Sequence, residues 1–371
     1  MIIGIPREIK DNENRVGITP TGVAELVKHG HEVRVEQNAG LGSGFHDDEY
    51  AEAGAKIVSA EEAWSAGLVI KVKEPLKNEF QYFSEGKIIY TYFHLAGVDP
   101  ELTRQLLVKK VTAVAYETVE DAERRLPLLA PMSAVAGRVA VQVAAHYLAK
   151  FNGGSGILIG GVKGVKPAIV TIIGAGVVGY NAAQIAIGMG AETILIDVNE
   201  EKLYHLKHQL DGKPHIVLSN RHNIAETVKK SDIVIGAVLI PGGKAPFLVT
   251  EDMIRTMRPG SVVVDVAIDQ GGCIETSKPT SHSNPIFKHH GVIHYCVTNM
   301  PGAFPRTSTI ALTNATLHYA LKIAIHGLEH TAKEDKGFSK GINTYKGFVT
   351  YKPVADDLQM AENFRNLDEL F

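Results

Sequence analysis

Residues 169–179, Ile169-Val-Thr-Ile-Ile-Gly174-Ala-Gly176-Val-Val-Gly179, decide the architecture together with Asp197, which closes the next apolar run in TILIDV. Five apolar or β-branched residues make a buried strand, and the glycines that follow turn the chain into a helix. In a strand–GxGxxG–helix unit, Gly174 permits the tight turn and Gly176 lets backbone approach a pyrophosphate at the positive helix N-terminus. Gly179 allows the helix to pack closely on the strand. Asp197 lies 23 residues beyond Gly174, where a carboxylate accepts hydrogen bonds from both adenosine ribose hydroxyls and repels a 2′-phosphate. Val198 and Asn199 supply no arginine for that phosphate, so the expected cofactor is NAD rather than NADP. Asp197 also reads as a simple cap of the next helix.

Downstream of 169–173, the runs 193–197, 215–218, 233–237, 261–266 and 292–296 bring the strand-like segments to six, separated by helical stretches. That pattern is a doubly wound parallel sheet, whose strands are covered on both faces and read as continuous Val/Ile runs. Upstream, 2–5, 31–36, 68–72, 87–90 and 111–114 form a second set, alternating with helical spacing at 20–29 and 100–109, where Pro20 and Pro100 occupy first turns. The expected fold is α/β, two Rossmann-like doubly wound parallel-sheet domains joined by long helices. Residues 129–306 are assigned to the dinucleotide domain. Residues 1–128 plus 307–371 are assigned to a discontinuous substrate and catalytic domain.

Two joining segments are expected to be helical. Residues 133–151 are apolar on nearly every side and open at Ser133 as an N-cap, and a long helix follows Thr307 to about Ala332 before a polar tail. The glycine-rich stretch 153–167 lacks the GK[ST] ending of a P-loop and reads as a turn-rich lead-in. Residues 168–191 are apolar enough to suggest a membrane span, but Gly174, Gly176, Gly179, Asn181 and Gln184 favour a buried βα unit.

A chain of 371 residues with 45% hydrophobic and 21% charged residues is globular and long enough for two cores. Its net charge of −3 supplies no basic field for nucleic acid or anionic membrane. The beginning, MIIGIPREIKDNENR, has no signal-peptide-length apolar run, and Cys273 and Cys296 form no disulfide framework, so a cytoplasmic location is expected.

Oxidation of an amino acid by hydride transfer requires a carboxylate anchor, an acid/base group and a nicotinamide facing the α-carbon. Arg15 in NENRVGITP, Lys73 in IKVKEP and His94 in YTYFHLAG are candidates, as are Asp269 in VVVDVAIDQGG and Asn299 in YCVTNMPG. Spacing alone leaves Arg15 and Lys73 readable as solvated charges and His94 as a structural histidine. His326 and His330, i and i+4 beside Glu329, have ligand-pair spacing without a third ligand. The adjacent His289 and His290 are expected to point in different directions, and no metal is assigned.

The ensemble GIPREIKDNENRVGITP, KVKEP, FHLAG, PLLAPMSAVAGR, GAGVVGYNAA, DVAIDQGG and TNMPGAFPRTST resembles bacterial alanine dehydrogenases nearly end to end. The resemblance implies NAD-dependent interconversion of L-alanine with pyruvate and ammonia. It implies that Arg15 and Lys73 bind substrate, that His94 is the acid/base histidine, and that Asp269 is the catalytic aspartate. It places Asn299 beside nicotinamide and substrate. Cofactor contacts map to Ser133, Val178, Asp197, Lys202, Ser219, Leu239, Ile268, Asp269, Asn299 and Met300, beside Gly174, Gly176 and Gly179. A homohexamer is implied as well. The NAD-binding subunit of a proton-translocating transhydrogenase shares the plan but, by the same resemblance, lacks the histidine of FHLAG and the KVKEP lysines. A saccharopine-type dehydrogenase is a further relative in plan.

Overall fold

The computed structural model describes residues 1–238 and 246–371. Six short strands open the chain: β1 (Ile2–Ile5), β2 (Glu32–Glu36), β3 (Lys56–Val58), β4 (Leu68–Ile70), β5 (Ile88–Thr91) and β6 (Thr112–Ala115). Seven follow: β7 (Ile169–Ile173), β8 (Glu192–Asp197), β9 (His215–Leu218), β10 (Ile233–Gly236), β11 (Val262–Asp265), β12 (Ile286–His289) and β13 (Val292–Tyr295). Near the end come β14 (Ile342–Tyr345) and β15 (Phe348–Val349). Two compact units result, 1–132 with 304–371, and 133–303.

The first unit has an eight-stranded sheet in the order β15-β14-β6-β5-β4-β1-β2-β3. Its strands β1 to β6 are parallel, whereas β14 runs antiparallel to β6 and to β15. The chain winds to opposite sides of β1, so β1 and β4 flank the switch point where such sheets open a crevice at their carboxyl ends. The helix Pro20–Lys28 is started by Thr19, whose hydroxyl accepts from Gly22 N at 3.2 Å, with Pro20 in the first turn. Trp64, Val69, Ile89, Phe93, Leu102 and Leu106 pack into one core with Val349 and Val354.

The second sheet runs β12-β13-β11-β10-β7-β8-β9. Without β12 it is the expected six-stranded parallel array, centred on β7. The additional β12 is an antiparallel edge strand paired with β13. Val170, Ile172, Val234, Val263 and Ile293 are fully buried, as the continuous apolar runs require. Residues 168–191 are indeed a βα unit, with the helix Val177–Gly188 after β7. Among the described residues no helix is long and apolar enough to cross a membrane.

Three expectations are corrected. Ser133 is not an N-cap: its helix runs Ala130–Leu148 and begins three residues earlier, with Pro131 in the first turn, where a missing N–H costs nothing. The helix expected from Thr307 to about Ala332 is two helices, Pro305–His326 and Leu328–Glu334, broken at Gly327, whose φ of 83° and ψ of 160° no helix contains. The polar tail is mostly exposed or half-buried, but it contains a buried strand. β14 is buried throughout, and its polar side chains are hydrogen-bonded: Thr344 Oγ1 donates to Val111 O at 2.9 Å, and Asn343 Nδ2 to Thr118 Oγ1 at 2.9 Å.

Candidate active site

In the first unit, the loops leaving the carboxyl ends of β1, β4, β5 and β6 bring the ionisable side chains to one edge of the sheet. Arg15 follows β1. It is 2% exposed, so the reading of a solvated charge fails. Its Nε donates to Glu13 Oε1 at 2.6 Å, its Nη2 bonds Glu13 Oε2, and Nη1 faces the Met132 sulfur at 3.2 Å. Burial disfavours the charge, but Glu13 more than compensates and raises the pKa, so the guanidinium is a fixed cation. The donor edge formed by Nε and Nη2 belongs to Glu13.

The two lysines of IKVKEP divide into different roles. Lys71 is fully buried between Glu8 and Glu79, at 3.1 and 2.9 Å. Burial opposes its charge, but the two carboxylates raise its pKa, so it is a structural cation. Burial is also the main reason that the Glu8 carboxyl is raised, against the pull of Lys71. Glu8 Oε1 accepts the N–H groups of Val72 at 2.6 Å and Lys73 at 3.3 Å, and Thr91 Oγ1 donates to Lys73 O at 3.1 Å. The Lys73 backbone is thereby clamped, and its side chain is half-buried at the same edge.

His94 follows β5 in a left-handed conformation, φ 47°. Glu117, beyond β6, accepts the N–H groups of Phe93 at 3.2 Å and His94 at 2.5 Å, and its Oε1 lies 3.9 Å from His94 Nδ1. The imidazole is stacked on Tyr92, 5.8 Å between centroids and 5° from parallel. Tyr92 also feels the charge of Arg15 and donates its hydroxyl to Leu128 O at 2.5 Å. Arg15, Tyr92 and His94 therefore form one electrostatic and stacking sequence. Sequence reasoning missed Glu8, Glu13, Lys71 and Glu117. Glu8 and Glu13 lay in the quoted motif GIPREIKDNENRVGITP, yet nothing local distinguishes a buried carboxylate from a solvated one.

In the second unit, Gly174 has φ 106°, and a Cβ there would lie 2.6 Å from Ala237 O. A Cβ on Gly179 would lie 1.9 Å from Gly174 O, whereas one on Gly176 meets nothing within 4 Å. The turn thus needs glycine for conformation and helix contact, and leaves open space at its outer member. The helix Val177–Gly188 has no side-chain cap, so its first-turn N–H groups suit an anion. Val178 is buried, and the helix Ala130–Leu148 approaches it so closely that a Cβ on Gly137 would sit 2.2 Å from Val178 O. Ser133 is half-buried on that helix.

Asp197 accepts Ala175 N at 2.7 Å on one oxygen and Asn199 N at 3.0 Å on the other, with Lys202 Nζ at 3.4 Å. Burial works against its ionisation, but these partners outweigh it and hold the pKa below the usual carboxylate range. Asp197 is not the cap of the next helix: Asn199 is, accepting Lys202 N at 2.9 Å. Ser219, after β9, donates its N–H to Asp197 O at 2.9 Å. These residues fit a dinucleotide, with a glycine turn for the pyrophosphate and an anion for the ribose.

Ile268 and Asp269 lie in a 3-10 turn after β11, the first buried and the second exposed. Asn299, φ 63°, donates its N–H to Asp269 Oδ2 at 3.4 Å, and its carbonyl oxygen lies 3.1 Å from His282 Nε2. Met300 beside it is 2% exposed. Leu239 lies outside the described residues. His289 and His290 do not diverge: their rings are 4.2 Å apart, and both reach Glu251. His326 and His330 lie on either side of the helix break at Gly327 with their rings 5.5 Å apart, and His330 bonds Glu334 at 3.2 Å.

Two family models match the chain. Residues 4–136 match the alanine dehydrogenase/PNT N-terminal domain, and residues 140–352 the alanine dehydrogenase/PNT C-terminal domain. The chain is 55% identical to alanine dehydrogenase 2 of Staphylococcus aureus (strain USA300) over 371 residues, 100% of this chain and 99% of that protein. It is 56% identical to the alanine dehydrogenase of Staphylococcus haemolyticus over 358 residues, 96% of each chain. A solved L-alanine dehydrogenase superposes with a TM-score of 0.94 at 47% identity, covering 97% of this chain and 99% of that one. A transhydrogenase from Sinorhizobium meliloti superposes with 0.82 at 27% identity, covering 94% and 100%. With family models spanning nearly the full length and such identity to curated relatives, the chain belongs to the alanine dehydrogenase/PNT family.

Proposed function

We propose that this protein is an NAD-dependent L-alanine dehydrogenase, interconverting L-alanine with pyruvate and ammonia. The observation that carries the reading is the buried Arg15 beside Tyr92 and His94, at the sheet edge where Lys73 is also held, in a chain 55% identical to an alanine dehydrogenase. A fixed guanidinium, an ammonium and an imidazole are what an α-amino acid needs for its carboxylate, for its developing carbonyl oxygen and for proton transfer.

The glycine turn 174–179 and Asp197 hold NAD, with Ser133, Val178, Lys202, Ser219, Leu239, Ile268 and Met300 assigned to its binding. When bound, NAD accepts hydride from the substrate α-carbon. Arg15 binds the substrate carboxylate, and Lys73 stabilises oxygen at the α-carbon as water adds and ammonia leaves. His94 takes the proton from the attacking water and returns it as ammonia departs. An imidazole suits this because its ordinary pKa, about 6.5, lies close to working pH. Asp269 assists and orients proton transfer, and Asn299 holds the nicotinamide. Alanine and water give pyruvate, ammonium and one proton, and two electrons leave with the hydride.

The reading extends to a homohexamer in the cytoplasm, which the two free, buried cysteines suit. Light scattering giving a stable monomer overturns the hexamer. The deciding experiment follows NADH formation by the purified protein with L-alanine, D-alanine, glycine, serine, valine and no substrate, and repeats it with NADP. Strong reduction of NAD that depends on L-alanine is expected. Tight NADH binding without turnover would favour the transhydrogenase-subunit reading instead.

A further inference from the structure

The β12–β13 hairpin and the helix Glu251–Arg255 carry a cluster of ionisable side chains that the reaction above does not use. His290 and Gly291 form the hairpin turn, both left-handed, with φ 49° and 76°. Consecutive residues of a strand point to opposite faces. The left-handed twist at His290 instead swings its ring beside that of His289. Both Nε2 atoms then approach a single oxygen, Glu251 Oε1, at 3.4 and 2.6 Å. The three donor atoms all lie within 4.8 Å of one another.

The cluster is braced from several sides. Glu251 N donates to Glu275 Oε2 at 2.7 Å, and Arg255 Nη2 donates to Glu251 Oε1 at 2.7 Å. His294 meets the His289 ring edge-on at 6.1 Å, while its own nitrogens are used by Thr276 Oγ1 and Val292 O. His294 therefore supports the site and is not a ligand. Hydrogen bonding from His290 above all, then from His289, together with the charge of Arg255, lowers the Glu251 carboxyl to about 2, so it is an anion at neutral pH.

We propose that His289, His290 and Glu251 bind a divalent transition-metal ion of the zinc class through two imidazole Nε2 atoms and one carboxylate oxygen, with water completing the coordination. Two imidazoles and a carboxylate select zinc, cobalt or nickel over magnesium and calcium, which take oxygen ligands. Bonds of about 2.0–2.2 Å separate the donors of a four-coordinate site by about 3.4 Å. Binding therefore opens the His290–Glu251 hydrogen bond and shifts Arg255 to the other carboxylate oxygen. All of these side chains are partly exposed. The hairpin lies at the amino end of β13, the opposite edge of the parallel sheet from the Gly174 turn. The metal is structural there, tying the hairpin to the helix without touching the coenzyme end.

The full-length protein is stripped with chelator and titrated with Zn²⁺ or Co²⁺ at pH about 7.5, with calorimetry, cobalt absorption and thermal unfolding as readouts. One equivalent per chain is expected, with a raised Tm. His289→Ala and His290→Ala should each weaken that equivalent about tenfold or more, while His330→Ala leaves it unchanged, and NADH binding is the same in all. Equal affinity in wild type and His290→Ala, loss of the equivalent in His330→Ala, or no binding at all would overturn the site. The last result would leave the cluster a histidine–glutamate ion pair only.

Discussion

Glu117 accepts the backbone N–H of His94 at 2.5 Å and holds that residue in the left-handed region, φ 47°. The same carboxylate accepts Phe93 N, so one side chain fixes the strand exit that presents the imidazole. Such a conformation persists only where its surroundings over-determine it. Glu117→Ala is expected to lower kcat at least about tenfold, with NADH affinity unchanged, whereas Glu117→Gln, which still accepts through its amide oxygen, retains most activity. Steady-state kinetics beside NADH titration separates the two, and wild-type turnover in Glu117→Ala would refute the positioning role.

Glu13 neutralises a guanidinium that is 2% exposed. Removing one partner of a buried pair costs about 3–5 kcal/mol, because the other is left without compensation. Glu13→Ala should lose about that much in urea unfolding. Arg15→Lys keeps the charge but loses the planar fork, and its KM for L-alanine should rise about tenfold or more with NAD binding intact.

Asp197 anchors the glycine turn through Ala175 N and is assigned to the ribose. Hydrogen bonds to a charged group are worth about 1.5–3 kcal/mol. Asp197→Ser should raise the KM for NAD by roughly tenfold or more and narrow the preference over NADP by a similar factor. Unchanged discrimination would remove Asp197 from the ribose site.

His294 is fully buried, and burial lowers its pKa from 6.5 to about 4. The folded state therefore binds fewer protons than the unfolded one between these values, and its stability rises with pH across that window. The contribution is complete above about pH 6.5 and is lost as pH falls towards 4, on the order of 3 kcal/mol in all. Urea melts in chelator at several pH values should show this slope, and His294→Asn should flatten it.

Gly137→Ala would place a Cβ 2.2 Å from Val178 O, backbone that cannot rotate away. The variant should lose about 1–3 kcal/mol of stability and bind NADH more weakly, since Val178 lies in the first turn after the glycine loop. Calorimetric melting and NADH titration both check it.

The coenzyme unit was readable in the chain because its information is local. A buried parallel strand must be continuously apolar, as in 169–173, and a GxGxxG turn has few other conformations. All six expected strands of that unit form, with ends displaced by at most a residue or two. Local reading failed where long-range pairing decides. β12, at the edge of the sheet, carries Lys288 and His289, and β14 carries Asn343 and Thr344. Their polar side chains suggest solvent until β13 and β6 lie beside them and satisfy their backbone. The same holds at the candidate site. Arg15, Lys73 and His94 were visible as residue types in motifs, but burial, the Glu13 and Glu117 carboxylates, and the separation of Lys71 from Lys73 exist only after folding. Whether a charge is solvated or buried and paired depends on strands distant in sequence, and only the tertiary structure brings those together.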